Sequence, residues 1–254
     1  MSAPSLTGLP DDYYRSLFAV EEQHWWHRGM REITRALLGE RLARPSVRLL
    51  DAGCGTGGFL RWASEVASPS RLAGVDLSAE AVALAGARVP AADLQVATVA
   101  ALPFADGAFD VVFLNDVLQH VHEDELATSV RELGRVLAAG GALLVRTNGA
   151  RHGRRSAADW RLYDAQALSS VLAEGGLRCE RLTYANALGS LWAATRGHGP
   201  KPPSGSSHGI PAASPGLAGA VMYRSLALEA RFLRHPGRRL PYGHTLLAVA
   251  VAGT

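Results

Sequence analysis

The sequence predicts an α/β fold in which helices cover both faces of a doubly wound, mostly parallel β-sheet. Two observations carry this prediction. Apolar runs of strand length alternate with helical patterns between Gly58 and Gly149, and the first apolar run leads into a glycine-rich turn at 51–58. The 254 residues, 48% of them apolar and 19% charged, are enough for one sizeable core. Because no run of 18 apolar residues occurs, a membrane-spanning class is excluded.

Two helices are predicted ahead of the sheet. Aromatic and aliphatic residues recur at near-helical spacing from Tyr13 to Val20, and a second helical pattern follows the phrase His24–His27. Trp25 and Trp26 are adjacent on this helix and point about 100° apart, so they are not expected to enter one core together. Either the tryptophans roof a ligand pocket or the helix packs on the sheet edge. We expect residues 1–44 to form an N-terminal helical lid on a domain of residues 45–254.

The glycine-rich turn is the strongest local signal. An apolar strand ends on Asp51, the glycines Gly53, Gly55, Gly57 and Gly58 follow, and helical spacing then resumes. Glycines allow positive φ angles and close backbone approach, and the N–H groups at a helix N-terminus can hold a nucleotide-like ligand. The spacing also fits the G-x-G-x-x-G pattern of dinucleotide-binding proteins, which alone is a weak signal.

The full string D-x-G-x-G-x-G, from Asp51 to Gly57, resembles the first motif of the class I S-adenosylmethionine (SAM) dependent methyltransferases. The resemblance implies SAM as the cofactor, with Asp51 placing its cationic methionine end and Gly53, Gly55 and Gly57 admitting it to the backbone. It also implies a seven-stranded Rossmann-like sheet whose last strand runs antiparallel between strands five and six.

The second strand, Arg71–Asp76, ends on a carboxylate about twenty-five residues after the glycine turn begins. A carboxylate at this place can accept hydrogen bonds from both ribose hydroxyls of an adenosine ligand. Asp76 and the adjacent Leu77 are therefore predicted cofactor contacts, although the spacing serves NAD and SAM alike. Ser78 is the predicted N-cap of the next helix.

The third strand, Asp93–Ala97, leads into a predicted adenine contact at Thr98 and Val99. The phrase Leu102–Asp110 resembles the methyltransferase pattern in which LPF, a short D-G turn and F-D precede the central strand. Many members of that family carry an aspartate where this chain has Thr98. A neutral hydroxyl can still accept the bond from the adenine amino group, so the resemblance implies a weaker contact there.

The fourth strand, Val111–Asn115, runs into a phrase that resembles the family's D-V-L-E-H and ends at His120. Since ligands bind beyond the carboxyl ends of parallel strands, Asn115, Asp116 and His120 are expected near the transferable methyl group. His120 is either a general base or a residue that orders its loop, and Asp116 is either a substrate contact or a helix N-cap. The order of base candidates is His120, then His24, then Tyr163.

The later elements follow from the same periodicities. The sequence predicts helices over Leu126–Leu137 (ending at Ala139–Gly141), Trp160–Gly175 and Leu217–Leu233, and strands over Ala142–Asn148, Leu177–Tyr184 and Gly243–Val251. Residues 197–216 are rich in Gly, Pro and Ser and are predicted to form a flexible loop.

One methyltransferase subgroup shows both the H-W-W phrase and a cluster of histidine, arginines and tyrosine before the helix that precedes strand six. Arg161 and Tyr163 fit this cluster, whereas Asp159 and Trp160 replace a histidine and an arginine where acceptor contacts are expected. The predicted substrate-binding residues are Trp25, Trp26, Asp116, Arg161 and Asn186. Arg28 or Arg31 is the expected partner of the cofactor's carboxylate, a role that an arginine plays in related methyltransferases.

These features predict a SAM-dependent methyltransferase that acts on an O, N or C nucleophile of a small molecule, in specialised metabolite or antibiotic biosynthesis. The alternatives are an NAD-dependent oxidoreductase and a non-methylating protein with the SAM-binding fold. No nucleic-acid or membrane partner is expected, because the loose cluster of Arg151, Arg154 and Arg155 lacks interleaved aromatic residues. No metal is expected, and the chain's beginning predicts a cytoplasmic protein without a signal peptide. Cys54 and Cys179 are expected to be free thiols.

Overall fold

A computed structural model of the protein describes residues 10–149, 161–190 and 216–253. Within these residues one seven-stranded sheet forms, in the order β3-β2-β1-β4-β5-β7-β6. Strands β1 to β5 pair in parallel, and β7 is antiparallel to both β5 and β6. The predicted Rossmann-like sheet with an antiparallel last strand is therefore confirmed. The strands are β1 Arg48–Ala52, β2 Arg71–Asp76, β3 Asp93–Val96, β4 Phe109–Asn115, β5 Leu137–Asn148, β6 Leu177–Ala185 and β7 Thr245–Ala252.

Two of the helices begin at a side chain that the sequence offers as a cap. Ser78 accepts a hydrogen bond from the Ala81 N–H at 3.1 Å at the start of α4, and Asp164 accepts one from the Ala167 N–H at 2.8 Å at the start of α6. The helices are α1 Asp11–Val20, α2 Trp25–Leu42, α3 Gly58–Ala67, α4 Ala79–Arg88, α5 Glu123–Arg135, α6 Ala165–Glu174 and α7 Leu217–Leu233, and a short 3-10 helix spans Leu118–His120.

Two hydrophobic cores flank the sheet, because successive strand residues point to opposite faces. On β1, Leu50 joins the core formed with α5 and α6, and Leu49 joins the core formed with α2, α3, α4 and α7. Helix α2 contributes Met30 and Ile33 to the second core, where both side chains are fully buried. The sheet is thus covered on both faces, as the doubly wound pattern predicts.

Two predicted helix boundaries were wrong. Helix α5 ends at Arg135, and Leu137 begins β5 by pairing with Phe109 at the start of β4. The Phe109 N–H donates to the Val136 carbonyl at 3.0 Å. That carbonyl is therefore paired with the sheet and is not available to accept a hydrogen bond from a further turn of helix. Helix α6 begins at Ala165, after the Asp164 cap, whereas the sequence placed its start at Trp160.

Several predictions concern residues outside the described ranges. They include most of the proposed flexible loop at 197–216, the arginines at 151, 154 and 155, and both Asp159 and Trp160. Among the described helices, none is long and apolar enough to cross a membrane. Cys54 and Cys179 are both free, as expected.

Candidate cofactor and acceptor site

The glycine turn is tied to the end of β2. The N–H groups of Gly53 and Cys54 both donate to the Val75 carbonyl at 2.8 Å. Gly53 has a φ of 89°, and a Cβ there would collide with the Val117 side chain, so packing as well as conformation requires glycine. A Cβ at Gly55 would meet no atom within 4 Å. The turn therefore leaves open space beside Gly55, where a ligand can approach the backbone.

Asp76 is held at the same edge by backbone donors. Its Oδ2 accepts from the Gly55 N–H at 2.9 Å, and its Oδ1 accepts from the Ser78 N–H at 3.0 Å and from the Tyr14 hydroxyl at 3.4 Å. Burial raises the pKa of Asp76, and the Ser78 and Gly55 N–H groups oppose that rise. The carboxylate is thus preorganised at the β2 end, and its role as the ribose acceptor stays a prediction.

The predicted adenine contacts lie after β3. Thr98 is half-buried, and its Oγ1 accepts from the Ala100 N–H at 3.2 Å, so its hydroxyl shapes the turn at that strand end. Val99 is buried, whereas Leu77, after β2, is 39% exposed. All three lie beyond the carboxyl ends of β2 and β3.

Asp51 and Asn115 form an acceptor pair beneath the glycine turn. Asp51 is buried, and the Asn115 Nδ2 donates to its Oδ1 at 3.5 Å. Burial raises the pKa of Asp51 to about 8, although the charge of Arg146 opposes the shift. The Asn115 Oδ1 is also buried and has no hydrogen-bond partner. A carboxyl and an unpaired amide oxygen side by side suit a ligand that brings an ammonium group.

Asp116 pairs with Arg146 at the carboxyl ends of β4 and β5. The Arg146 Nε and Nη2 donate to Asp116 Oδ2 at 2.9 and 2.6 Å, and the guanidinium lies 4.9 Å from the Trp26 ring. Asp116 has a φ of 57° and does not cap the 3-10 helix, whose N-cap is Val117, so the N-cap alternative was wrong. Sequence reasoning missed Arg146, although a lone charge inside the apolar run of β5 was a signal.

The start of α2 brings two histidines and two tryptophans to this edge. His24 is the N-cap, its Nδ1 accepting from the Trp26 N–H at 3.3 Å, and its buried Nε2 has no hydrogen-bond partner. The His27 ring lies 5.0 Å from the Trp26 ring and 5.7 Å from the His24 ring. Burial, and then the charge of Arg146, lowers the pKa of His27 well below 6.5. His27 is therefore neutral at pH 7. Trp25 and Trp26 are both half-buried.

Helix α1 is fixed onto the glycine turn by a buried cluster that the sequence did not reveal. The Glu21 carboxylate accepts from the Thr56 hydroxyl and pairs with Arg88, whose side chain is 5% exposed. Arg88 also donates to the Thr56 carbonyl at 2.8 Å and the Phe18 carbonyl at 2.7 Å. Nearby, Arg31 donates to the Gly58 carbonyl at 2.9 Å. These residues are distant in sequence, so no local pattern signals the cluster.

Tyr13 lies beside the same cleft. Burial, followed by the negative charges of Asp116, Glu21 and Asp76, raises the pKa of Tyr13 to about 12. The carboxyl groups at the C-terminus of α1, the end of β2 and the end of β4 therefore all act on one phenol of α1. Tyr13 and Tyr14 were recognised only as helix-periodic residues.

The remaining predicted residues are not all brought together. The Arg28 guanidinium lies 4.4 Å from the centre of the Tyr223 ring on α7, so Arg31, and not Arg28, contacts the glycine turn. Tyr163 is fully buried, and its hydroxyl donates to the Leu118 carbonyl at 3.4 Å. Arg161 pairs with Glu123 at 2.6 Å, near the start of α5.

His120 follows the end of β4, and Asn186 follows the end of β6. His120 is half-buried in the 3-10 helix that follows Asp116, close in sequence to the Asp116–Arg146 pair. Asn186 follows β6 with a φ of 61°, and its buried Oδ1 has no hydrogen-bond partner. The Asn186 Oδ1 can therefore accept a hydrogen bond from a ligand. However, β6 is the outermost strand on the side of the sheet that lies away from β2 and β3.

Residues 50–145 match the family model described as a methyltransferase domain. A probable S-adenosylmethionine-dependent methyltransferase of Mycolicibacterium smegmatis is 34% identical over 141 residues, covering 56% of this chain and 52% of that protein. Residues 50–145 are a class I SAM-dependent methyltransferase domain. The matched region of this methyltransferase domain begins at Leu50 and ends at Val145, so it includes the glycine turn, Asp76 and Asn115.

Two further comparisons extend beyond the methyltransferase domain. A malonyl-[acyl-carrier protein] O-methyltransferase of Enterobacter lignolyticus is 33% identical over 171 residues, covering 61% of this chain and 66% of that protein. A TehB-like SAM-dependent methyltransferase of Corynebacterium glutamicum has the same fold, with a TM-score of 0.58 at 16% identity and 95% of each chain covered. The chain spans less than two thirds of the length of the first curated relatives it matches.

SAM is the cofactor of this domain family, and the residues at the glycine turn fit it. Asp76 offers carboxylate oxygens for ribose hydroxyls, and the open space at Gly55 admits the nucleoside to the backbone. Asp51 and the unpaired Asn115 Oδ1 offer acceptors for the methionine ammonium group. The assignment of these contacts residue by residue, like membership of the H-W-W subgroup, stays a prediction.

Proposed function

We propose that this chain is a SAM-dependent methyltransferase that methylates an oxygen, nitrogen or carbon nucleophile of a small molecule, within specialised metabolism. The observation that carries the proposal is the Asp116–Arg146 pair beside the Trp26 ring, at the same edge of the sheet as Asp51 and Asn115. A charged pair, an aromatic surface and a neutral His27 suit an acceptor with an apolar body and few polar groups.

Methyl transfer from SAM requires little of the protein beyond positioning of the reactants. SAM, when bound, supplies an activated methyl group on its sulfonium. The chain must align the nucleophile, exclude water and, for an alcohol or ammonium acceptor, take a proton. His120 and His24 remain our candidates for the last task. Tyr163 ranks below them because its pKa is raised to about 12 by burial and its hydroxyl is bonded within the core.

A relative's name helps to choose acceptors for a screen. The relative from Enterobacter lignolyticus is named for methylation of malonyl-[acyl-carrier protein], an acyl acceptor. We therefore propose a panel of acyl thioesters, phenols and quinone-like rings, and sugars. Macromolecular acceptors such as nucleic acids rank lower, because Arg146, the arginine beside the Trp26 ring, is already paired with Asp116.

Calorimetric titration with S-adenosylhomocysteine, with NADH beside it, tests the cofactor site. We expect the wild type to bind S-adenosylhomocysteine and Asp76→Ala to lose about 1–3 kcal/mol of binding free energy, because the ribose hydroxyls lose a charged acceptor. Asp93→Ala is the matched control, since Asp93 lies at the start of the neighbouring β3 and pairs with Arg71 near the surface. Unchanged affinity in Asp76→Ala, or preferential binding of NADH, contradicts the proposed site.

Methyl transfer itself is tested with SAM labelled in its methyl group and the acceptor panel. A labelled product with any small acceptor supports the proposal. If S-adenosylhomocysteine binds and no acceptor in the panel is labelled, the non-methylating alternative replaces it.

A further inference from the structure

The outer surface of α7 exposes an apolar stripe. Leu217, Val221, Leu228 and Phe232 are 81%, 50%, 68% and 39% exposed, respectively. Their spacings of four, seven and four residues place all four side chains on one side of the helix. The opposite side of α7 packs into the core through residues such as Leu226. An aligned exposed apolar stripe, unlike scattered single residues, is typical of an interaction surface.

A row of arginines follows one edge of this stripe. Arg224 and Arg231 are two helical turns apart, and both are exposed. Neither of them, nor Arg234 beyond them, forms an ion pair with any residue that the structure describes. The single acid of α7, Glu229, accepts from the N–H groups of Asn186 and Ala187 at 2.7 and 2.9 Å and does not neutralise the row.

We propose that the outer face of α7, formed by Leu217, Val221, Arg224, Leu228, Arg231 and Phe232, docks an acidic amphipathic helix of a partner protein. The apolar stripe would bury the partner's aliphatic side chains, and the arginine row would pair with carboxylates spaced two turns apart. This inference is independent of the proposed methyl transfer, because it uses no residue of the glycine turn or the β4 and β5 ends.

The positions of the arginines argue against two other occupants. The midpoint of α7 is Ser225, so antiparallel pairing with a second copy would bring Arg224 against its own counterpart. Helices that lie on a bilayer carry basic residues on the polar side around their apolar face. In α7 only one edge of the stripe is basic, and the other edge carries the exposed Ala218. A partner with carboxylates along one edge fits this asymmetry.

A synthetic helical peptide of the length of α7 is the probe. It carries leucines at spacings of four, seven and four, a row of glutamates two turns apart along one edge, and a fluorophore for anisotropy titration against the intact chain. We expect salt-sensitive binding that weakens about tenfold or more when glutamine replaces the glutamates. The double variant, Arg224→Glu with Arg231→Glu, should bind the glutamate peptide about as weakly. The same variant should bind a peptide that carries lysines in place of the glutamates.

The single variant Arg224→Glu is also compared with Arg131→Glu on α5, its matched control, which reverses one exposed helical arginine on another surface. Equal weakening by both variants would mean unspecific attraction and would overturn the proposal. So would binding of phosphatidylserine vesicles in place of the peptide. A dimer detected by ultracentrifugation and abolished by Leu228→Ser would also overturn it. All altered positions are exposed, and unchanged thermal unfolding confirms that each variant is folded.

Discussion

Asp51 gives the cofactor site a specific pH dependence. Burial raises the pKa of its carboxyl to about 8, so at pH 7 the group is mostly protonated before a ligand binds. The ammonium group of S-adenosylhomocysteine favours the ionised form and lowers this pKa in the complex. Between the lowered value and pH 8, binding therefore releases a proton, and affinity falls as the pH decreases. Calorimetry at pH 7 in two buffers of different ionisation enthalpy measures that proton.

Asp51→Asn supplies the control for this prediction. The amide keeps the size of the side chain and its polar contact with Asn115, but it cannot release a proton. Binding enthalpies that differ between buffers for the wild type and agree for Asp51→Asn support the assignment. Identical enthalpies in both buffers for the wild type would show that Asp51 does not titrate on binding.

Among single residues, the sequence predicted those whose position follows from the strand in which they lie. Asp51 and Asp76 end buried strands, and a carboxylate in that position lies at the ligand edge whatever the rest of the chain does. Arg146 was missed because its role depends on Asp116, which lies thirty residues away, just after the adjacent strand β4. The sequence left Arg28 and Arg31 open as partners of the cofactor's carboxylate, because it does not show which side of α2 faces the glycine turn. In the structure, Arg31 contacts that turn and Arg28 lies against Tyr223.

At the scale of elements, a buried charge cluster holds α1 against the glycine turn. Arg88→Met leaves the Glu21 carboxylate buried without its cation, so the unfolding free energy should fall by about 3–5 kcal/mol. Burial already raises the pKa of Glu21 despite the Thr56 hydroxyl and the charge of Arg88, so the ionised carboxyl group is costly to bury even with its partners present. Urea denaturation monitored by circular dichroism measures the loss.

A double variant separates the charge from the packing. Glu21→Gln combined with Arg88→Met removes both charges and should be less destabilising than Arg88→Met alone. Arg61→Met is the surface control, because Arg61 pairs with Glu22 and Glu65 in solvent, and it should hardly change the unfolding curve. If Arg88→Met matched this control, the cluster would not hold α1 in place.

Helices and strands were predicted correctly where the apolar residues of a segment followed a single periodicity. Helix α7 has the predicted bounds, since an uninterrupted apolar pattern runs from Leu217 to Leu233. The segment after Arg135 was assigned to the wrong element because Ala138–Gly141 resembles a helix C-terminus. In the structure this segment joins the sheet, because Leu137 pairs with Phe109. The local sequence pattern does not reveal that pairing partner.

At the scale of the whole molecule, the two N-terminal helices have different relations to the sheet. Helix α1 touches the glycine turn and α4 mainly through polar contacts such as Arg15 with Glu80 at 2.7 Å. Helix α2 buries Met30, Ile33, Leu38 and Leu42 in the core that it shares with α7. The sequence treated both as one lid of residues 1–44, because a helical period does not say which core its apolar side enters.

This difference predicts distinct results for two truncations. A chain of residues 23–254 should unfold cooperatively and bind S-adenosylhomocysteine more weakly than the full chain, because it lacks Tyr14 beside Asp76 and Glu21 beside Thr56. A chain of residues 45–254 should show no cooperative thermal transition, since removing α2 exposes the core face of α7 and the sheet. Calorimetric scans and titrations of both chains measure these outcomes. Cooperative unfolding of residues 45–254 would show instead that α2 is a separable lid, and that its apolar contacts are not part of the folding unit.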